Sequence, residues 1–236
     1  MKPYHYSDRA CPVTRRCRPF YLNRIAIILL LSWPVISPAS DAAEYLRDAE
    51  SYYIRNDFPA AVIQLKNALL VEPDNSDARL LLGKTYLELK NGPSAVKELI
   101  RARDLGMPRE RVLEPLGRAL LMSGQGDRLL KEIIPEATDS ENLKLDILLL
   151  QGQAYLATRN FAMADERFSA VLDLQPDTAG AMLGKARISH RSGDTTATAR
   201  FIEQALSVEP DNAEAVSYTH LTLPTNTVTC GWGGGG

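Results

Sequence analysis

A 34-residue interval that recurs five times leaves a chain few ways to fold. Windows opening at Ala42, Ser76, Glu110, Leu145 and Ala179 align, the third carrying one extra residue. Position 8 then reads Ala49, Gly83, Gly117, Gly152 and Ala186, and position 20 reads Ala61, Ala95, Leu129, Ala164 and Thr198. Bulkier residues recur at position 11 (Tyr52, Tyr86, Leu120, Tyr155, Ser189) and at position 24 (Leu65, Leu99, Ile133, Phe168, Ile202). Pro73, Pro176 and Pro210 stand at position 32; Pro108 comes one place late, and Pro135 comes early in the third window. Such a period marks one supersecondary unit stacked on copies of itself. Small residues at 8 and 20 let two helices, A and B, approach, and the residues at 11 and 24 fill the space between them. Proline stops helix B because it lacks an N–H and clashes with the preceding turn. Asp74-Asn75, Asp177-Thr178 and Asp211-Asn212 are predicted to supply turn and N-cap oxygens to the next helix A. One such pair cannot bury its own apolar face, and about three must stack to do so. Repeats over 42–75, 76–109, 110–144, 145–178 and 179–212, with the start of a sixth, satisfy that need. The third is the most degenerate.

These positions resemble the tetratricopeptide-repeat (TPR) pattern. The resemblance implies an all-α, right-handed superhelical solenoid whose concave face is lined by helices A. The first two repeats carry Asn56-Asp-Phe-Pro-Ala-Ala-Val-Ile-Gln-Leu-Lys-Asn-Ala-Leu69, Ala78-Arg-Leu-Leu-Leu-Gly83, Lys97-Glu-Leu99 and Arg101-Ala-Arg-Asp-Leu-Gly106. Behind an export-type segment, these strings resemble the TPR-repeat protein of the PEP-CTERM/exosortase system of Gram-negative bacteria. The likeness covers about residues 42–135 and extends more loosely to 215. It implies a periplasmic or envelope-associated protein beside exopolysaccharide and protein-sorting machinery, with no catalytic residues to carry over. Members of that group are described as lipoproteins. Here no Cys stands directly after the apolar run, so the resemblance leaves membrane association open.

The two ends differ from the repeats. Lys2, Arg9, Arg15, Arg16, Arg18 and Arg24 precede the apolar run Ile25–Trp33, and small residues follow through Ala39, Ala42 and Ala43. A basic segment, a short apolar run and a small-x-small site are the parts of a secretory signal. A spanning helix needs about 20 apolar residues. Residues 1–41 therefore read as a signal peptide and short spacer, cleaved after Ala39 or Ala42, with an uncleaved anchor as the alternative. At the other end, the helical pattern is expected to stop after Ala215. Val216-Ser-Tyr-Thr-His-Leu-Thr-Leu-Pro-Thr225 resembles the translation of a transposase adapter used in sequencing libraries, and Cys230-Gly-Trp-Gly-Gly-Gly-Gly236 fits its G-rich continuation. Residues 216–236 are thus expected to be a sequencing artefact and disordered, with the natural chain continuing beyond Ala215.

The net charge of −2 conceals a basic N-terminal forty residues, an uncharged tail and an acidic centre. An acidic centre argues against nucleic-acid binding, which rests on clustered Lys and Arg. Cys11, Cys17 and Cys230 all lie outside residues 41–215, and His190 is the one histidine within them. A thiolate nucleophile, a His-based triad and a Cys/His metal site therefore lack their parts there. The adjacent carboxylates Asp165 and Glu166 would diverge by about 100° on a helix and share no site. The reading is a non-enzyme with no cofactor, no metal and no small-molecule substrate, whose partners are other proteins or peptides of the envelope.

A groove is expected where positions 5, 9 and 12 of helices A line the concave side. The candidates are Leu46, Leu80 and Lys84, Leu87, Arg118 and Leu121, Leu149, Gln153 and Leu156, and Leu183 with Arg187. This is a leucine-rich surface with a broken basic stripe. An equal alternative is that the leucines pack against neighbouring repeats. The rival functional reading is a regulatory or assembly domain of a longer envelope protein whose catalytic part lies elsewhere.

Overall fold

The computed structural model describes residues 38–222, with side chains placed over 41–218. All eleven elements among the described residues are α-helices. The A helices are α1 (Pro38–Ile54), α3 (Ser76–Glu88), α5 (Arg109–Met122), α7 (Glu141–Ala157), α9 (Ala179–Ser192) and α11 (Ala213–Thr222). The B helices are α2 (Phe58–Val71), α4 (Gly92–Asp104), α6 (Gly126–Glu132), α8 (Phe161–Leu174) and α10 (Thr195–Val208). The expected export segment lies outside the described residues, apart from Pro38 onward. The cleavage positions considered for it fall in the first turns of α1.

One local device turns every A helix into its B helix. The residue at position 15 has positive φ in all five repeats: Asn56 (60°), Lys90 (56°), Gly124 (70°), Arg159 (63°) and Gly193 (81°). Its N–H bonds back to position 12, as in Lys90 N to Leu87 O at 2.9 Å, and the next N–H bonds to position 11, as in Asn91 N to Tyr86 O at 2.8 Å. This left-handed stop satisfies the last carbonyls of helix A. The residue that follows caps helix B. Asp57, Asn91, Asn160 and Asp194 accept from the backbone N–H groups of Ala60, Ser94, Met163 and Ala197. Gln125 makes no such cap, and α6, which it precedes, is only seven residues long.

The turns from B to A are less uniform. Asn75 and Asn212 cap α3 and α11 as expected. Thr178 does not cap α9; its hydroxyl donates backward to Gln175 O at 2.9 Å. Ser140 caps α7 instead of an Asp-Asn pair, through the Leu143 N–H.

Packing follows the repeat. Positions 8, 20 and 24 are buried throughout, with Leu65, Leu99, Ile133, Phe168 and Ile202 all at 1% exposure or less. A methyl group on Gly152 would sit 2.6 Å from the Phe168 ring, and one on Gly184 would press on the ring's other side. The ring thus lies between the glycines of two successive A helices. In repeat 3 the filling is different: Gly117 faces Leu150, from the next A helix, at 2.5 Å from where a methyl would stand. Leu150 and Gly184 hold the same position in successive repeats, so bulk removed from one element is restored by its neighbour.

Repeat 3 departs most from the pattern. Pro135 cannot continue α6, and the segment that replaces the missing turns is tied down by polar groups. Arg109 donates to Asp139 at 2.9 and 3.1 Å and to Ile134 O at 3.2 Å, and pairs with Glu136 at 2.7 Å. Gln151, buried on α7, donates to Ile133 O at 3.1 Å. Pro115 lies inside α5 of the same repeat, where its missing N–H removes one helical bond.

Successive A helices pack on one another from α1 through α9, while B helices pack mainly on the A helices beside them. The A helices alone form a continuous series of like-to-like contacts among the described residues. The A helices therefore line the concave side, as expected of a TPR solenoid. One expectation is corrected at the C-terminal end: the helix does not stop at Ala215 but runs to Thr222. Asn212 caps it, and no Gly or Pro interrupts the chain until Pro224.

Candidate functional site

The concave side is organised by the A helices, and the expected groove residues separate there by burial. Leu80, Leu87 and Leu183 are 2%, 2% and 4% exposed. They lie between neighbouring helices as core and present no surface to a ligand, which corrects their assignment to the groove. Leu80 and Leu87 belong to an apolar cluster shared with α4 and α5, and Leu183 to one shared with α10 and α11. Leu46, Leu121, Leu149 and Leu156 are partly exposed, as are Lys84 and Gln153, while Arg118 and Arg187 are exposed.

Four of these residues meet in one concavity of about 630 Å³: Leu121, Gln153, Leu156 and Arg187. Ala157, Phe161, Arg191, Glu214 and Tyr218 complete its lining. Leu121 and Leu156 form an apolar floor from α5 and α7. Arg187 and Arg191, one turn apart on α9, share a face and form the rim. The Arg191 guanidinium lies 4.6 Å from the Phe161 ring centre, a cation–π contact that fixes its position. Arg187 pairs with Glu214 from α11. Leu46, Lys84, Arg118 and Leu149 lie outside this concavity.

Further toward the N-terminus the same side is mixed in charge. Arg111 pairs with Asp77 at 2.8 Å across α5 and α3, and Arg118 with Glu114 at 3.5 Å along α5. Tyr53 is held protonated there. Burial raises its pKa, Glu88 and Glu114 raise it further, and Arg118 partly opposes them. A second cleft of about 420 Å³ opens at the N-terminal ends of α7 and α9, and Asp146, Leu149, Asp177 and Glu209 are among its walls.

Several lining residues were not anticipated from the sequence. Phe161 and Arg191 stand at positions 17 and 13, outside the three positions used to place the groove. The available signal was the Arg187/Arg191 pair spaced i, i+4 on one predicted helix. Asp165 and Glu166 diverge as expected: Asp165 pairs with Lys185 at 2.7 Å, whereas Glu166 turns away toward Arg167 at 3.9 Å. The buried Glu98 is paired with Arg79 at 2.6 Å. Among the described residues, no group of three His, Cys, Asp or Glu is arranged to hold a metal, and no helix is long and apolar enough to cross a membrane.

Comparison with known proteins bears on the same architecture. Two family profiles, both described as tetratricopeptide repeat, match residues 52–113 and 149–213. The cytochrome c-type biogenesis protein CycH of Pseudomonas aeruginosa is 28% identical over 203 residues, covering 84% of this chain and 47% of CycH. The chain thus spans about half the length of that curated relative. Among solved structures, YrrB, a TPR protein with an unusual peptide-binding site, superposes with a TM-score of 0.54 at 18% identity, over 76% of this chain and 92% of YrrB. PilF of Pseudomonas aeruginosa superposes at 0.57 with 18% identity, over 78% of this chain and 85% of PilF.

Proposed function

Because this chain belongs to the tetratricopeptide-repeat family, we propose that it is an exported scaffold whose concave groove at repeats 3–5 holds a segment of another envelope protein. The observation that carries this reading is the concavity over Leu121 and Leu156, with an apolar floor, a polar wall at Gln153 and an arginine rim. A ligand site of this kind needs apolar area for affinity and a few placed polar groups for orientation. The peptide-binding site named for YrrB and the cytochrome c-type biogenesis role named for CycH support a groove that handles polypeptide. The resemblance of the first two repeats to the PEP-CTERM/exosortase TPR protein supports a place beside exopolysaccharide and protein-sorting machinery.

The test is site-specific photocrosslinking in a Gram-negative host that carries the gene. A photoreactive residue at Leu121 or Gln153 is expected to give adducts with an envelope protein. One at Glu166, on a B helix, gives none. Adducts from all three sites, or from Glu166 alone, would defeat the groove assignment. Sequencing the N-terminus of the same purified protein checks export, which predicts a chain starting near Ser40 or Ala43; an intact Met1 on cytoplasmic protein would defeat it.

A further inference from the structure

We propose that this groove selects a segment in which a carboxylate lies beside aliphatic side chains, and that Glu214 occupies the carboxylate position when no ligand is bound. The inference rests on the groove reading above and adds the chemistry of the ligand. Three observations carry it. Arg187 and Arg191 put two guanidinium groups on one wall, and Arg191 has no carboxylate partner among the described residues. Stacking on Phe161 holds Arg191 in place, so an anion arriving there meets a donor already ordered. The side chain of Gln153, on the neighbouring A helix α7, makes no hydrogen bond among the described residues and offers an amide to the same anion.

Glu214 shows how such a carboxylate would sit. It reaches into the concavity from the first turn of α11 and pairs with Arg187. The two side chains of this pair are 44% and 42% exposed, so water screens the contact and a ligand can replace it. A ligand carboxylate able to meet both arginines in bidentate fashion would make stronger, charge-assisted bonds and displace it. The aliphatic requirement follows from Leu121 and Leu156, which line the floor beside the two cations. Charge complementarity therefore favours an acidic-aliphatic segment over a basic or uncharged one.

The experiment pans a random dodecapeptide phage library on the chain and measures labelled synthetic versions of the recovered peptides by fluorescence anisotropy. Recovered peptides are expected to place Asp or Glu within a few residues of Leu, Ile or Val. Replacing that carboxylate by its amide is expected to weaken binding about five- to tenfold. Arg187→Gln and Arg191→Gln should each weaken the acidic peptide while leaving its amide version nearly unchanged. Glu214→Ala should tighten the acidic peptide by removing its competitor, and Lys97→Gln, on the exposed side of α4, should change nothing. Peptides that are basic or uncharged, yet lose binding on Leu156→Ala, would overturn the carboxylate inference and leave the groove reading standing. No recovered peptide from a protein shown to be folded by its circular dichroism would remove both. A Glu214→Ala protein that binds the acidic peptide no better would overturn the displacement.

Discussion

Lys90 and Arg159 hold left-handed backbone, a conformation that costs an ordinary L-residue about 1–2 kcal/mol. Glycine at these positions relieves that strain and gives back part of the gain as unfolded-chain entropy. Lys90→Gly and Arg159→Gly are therefore expected to stabilise the protein by about 0.5–1 kcal/mol each. Lys97→Gly, inside α4, should instead lose about 1 kcal/mol. Urea titration of the three variants checks the signs. A second residue-level expectation concerns Asp139. A hydrogen bond from Arg109, then one from the Glu136 N–H, holds its carboxyl below the ordinary carboxylate value. A depressed folded-state pKa contributes stability that is fully present above the unfolded value, about 3.9, and is lost as pH falls through the folded one. The stability difference between the parent and Asp139→Asn should thus be flat from neutral pH down to about 5 and shrink below about 4. Neither feature was visible in the sequence. Asn56, Lys90 and Arg159 carry no glycine signal at position 15, and Asp139 finds Arg109 thirty residues away, in a segment where the repeat pattern fails.

At the scale of helices, volume is shared between neighbours. Gly184→Ala would drive a methyl into the Phe168 ring and is expected to cost about 1–3 kcal/mol. Phe168→Leu opens a gap on its own but makes room for that methyl. The double variant should accordingly be more stable than the two single losses sum to, a coupling that thermal unfolding of the four proteins would measure. Burial also sorts three leucines that share position 5. Leu80→Ala and Leu183→Ala remove fully packed side chains and should cost about 2–5 kcal/mol. Leu149→Ala, at a partly exposed site, should cost less. Position within the repeat was readable because glycine, alanine and bulky residues alternate at fixed intervals. Exposure was not readable in the same way, since it depends on how much of the adjacent helices covers each leucine. Of the residues placed on the concave side by register, Leu121, Gln153, Leu156 and Arg187 do line one concavity. Phe161 and Arg191 needed the corner between α7 and α8 to be seen in place.

At the scale of the whole array, each described helix packs on helices one or two places away in order, so the stability of the array is close to a sum of local contributions and joints. That connectivity makes repeat 3 unlike the rest. Its B helix has seven residues where α4, α8 and α10 have thirteen or fourteen, its A helix contains Pro115, and its outer layer is held by the Arg109 and Gln151 bonds described above. Considered as a spring, the solenoid is two stiff coils joined by one compliant turn. Under tension applied between its ends, extension should begin there, at a force lower than the turns on either side require, and should fall further in acid as the Asp139 tether is protonated. Optical-trap stretching of the chain, compared with Arg109→Gln, would show a first rip whose force drops in the variant; a uniform sawtooth indifferent to that substitution would mean that all five turns are equally stiff.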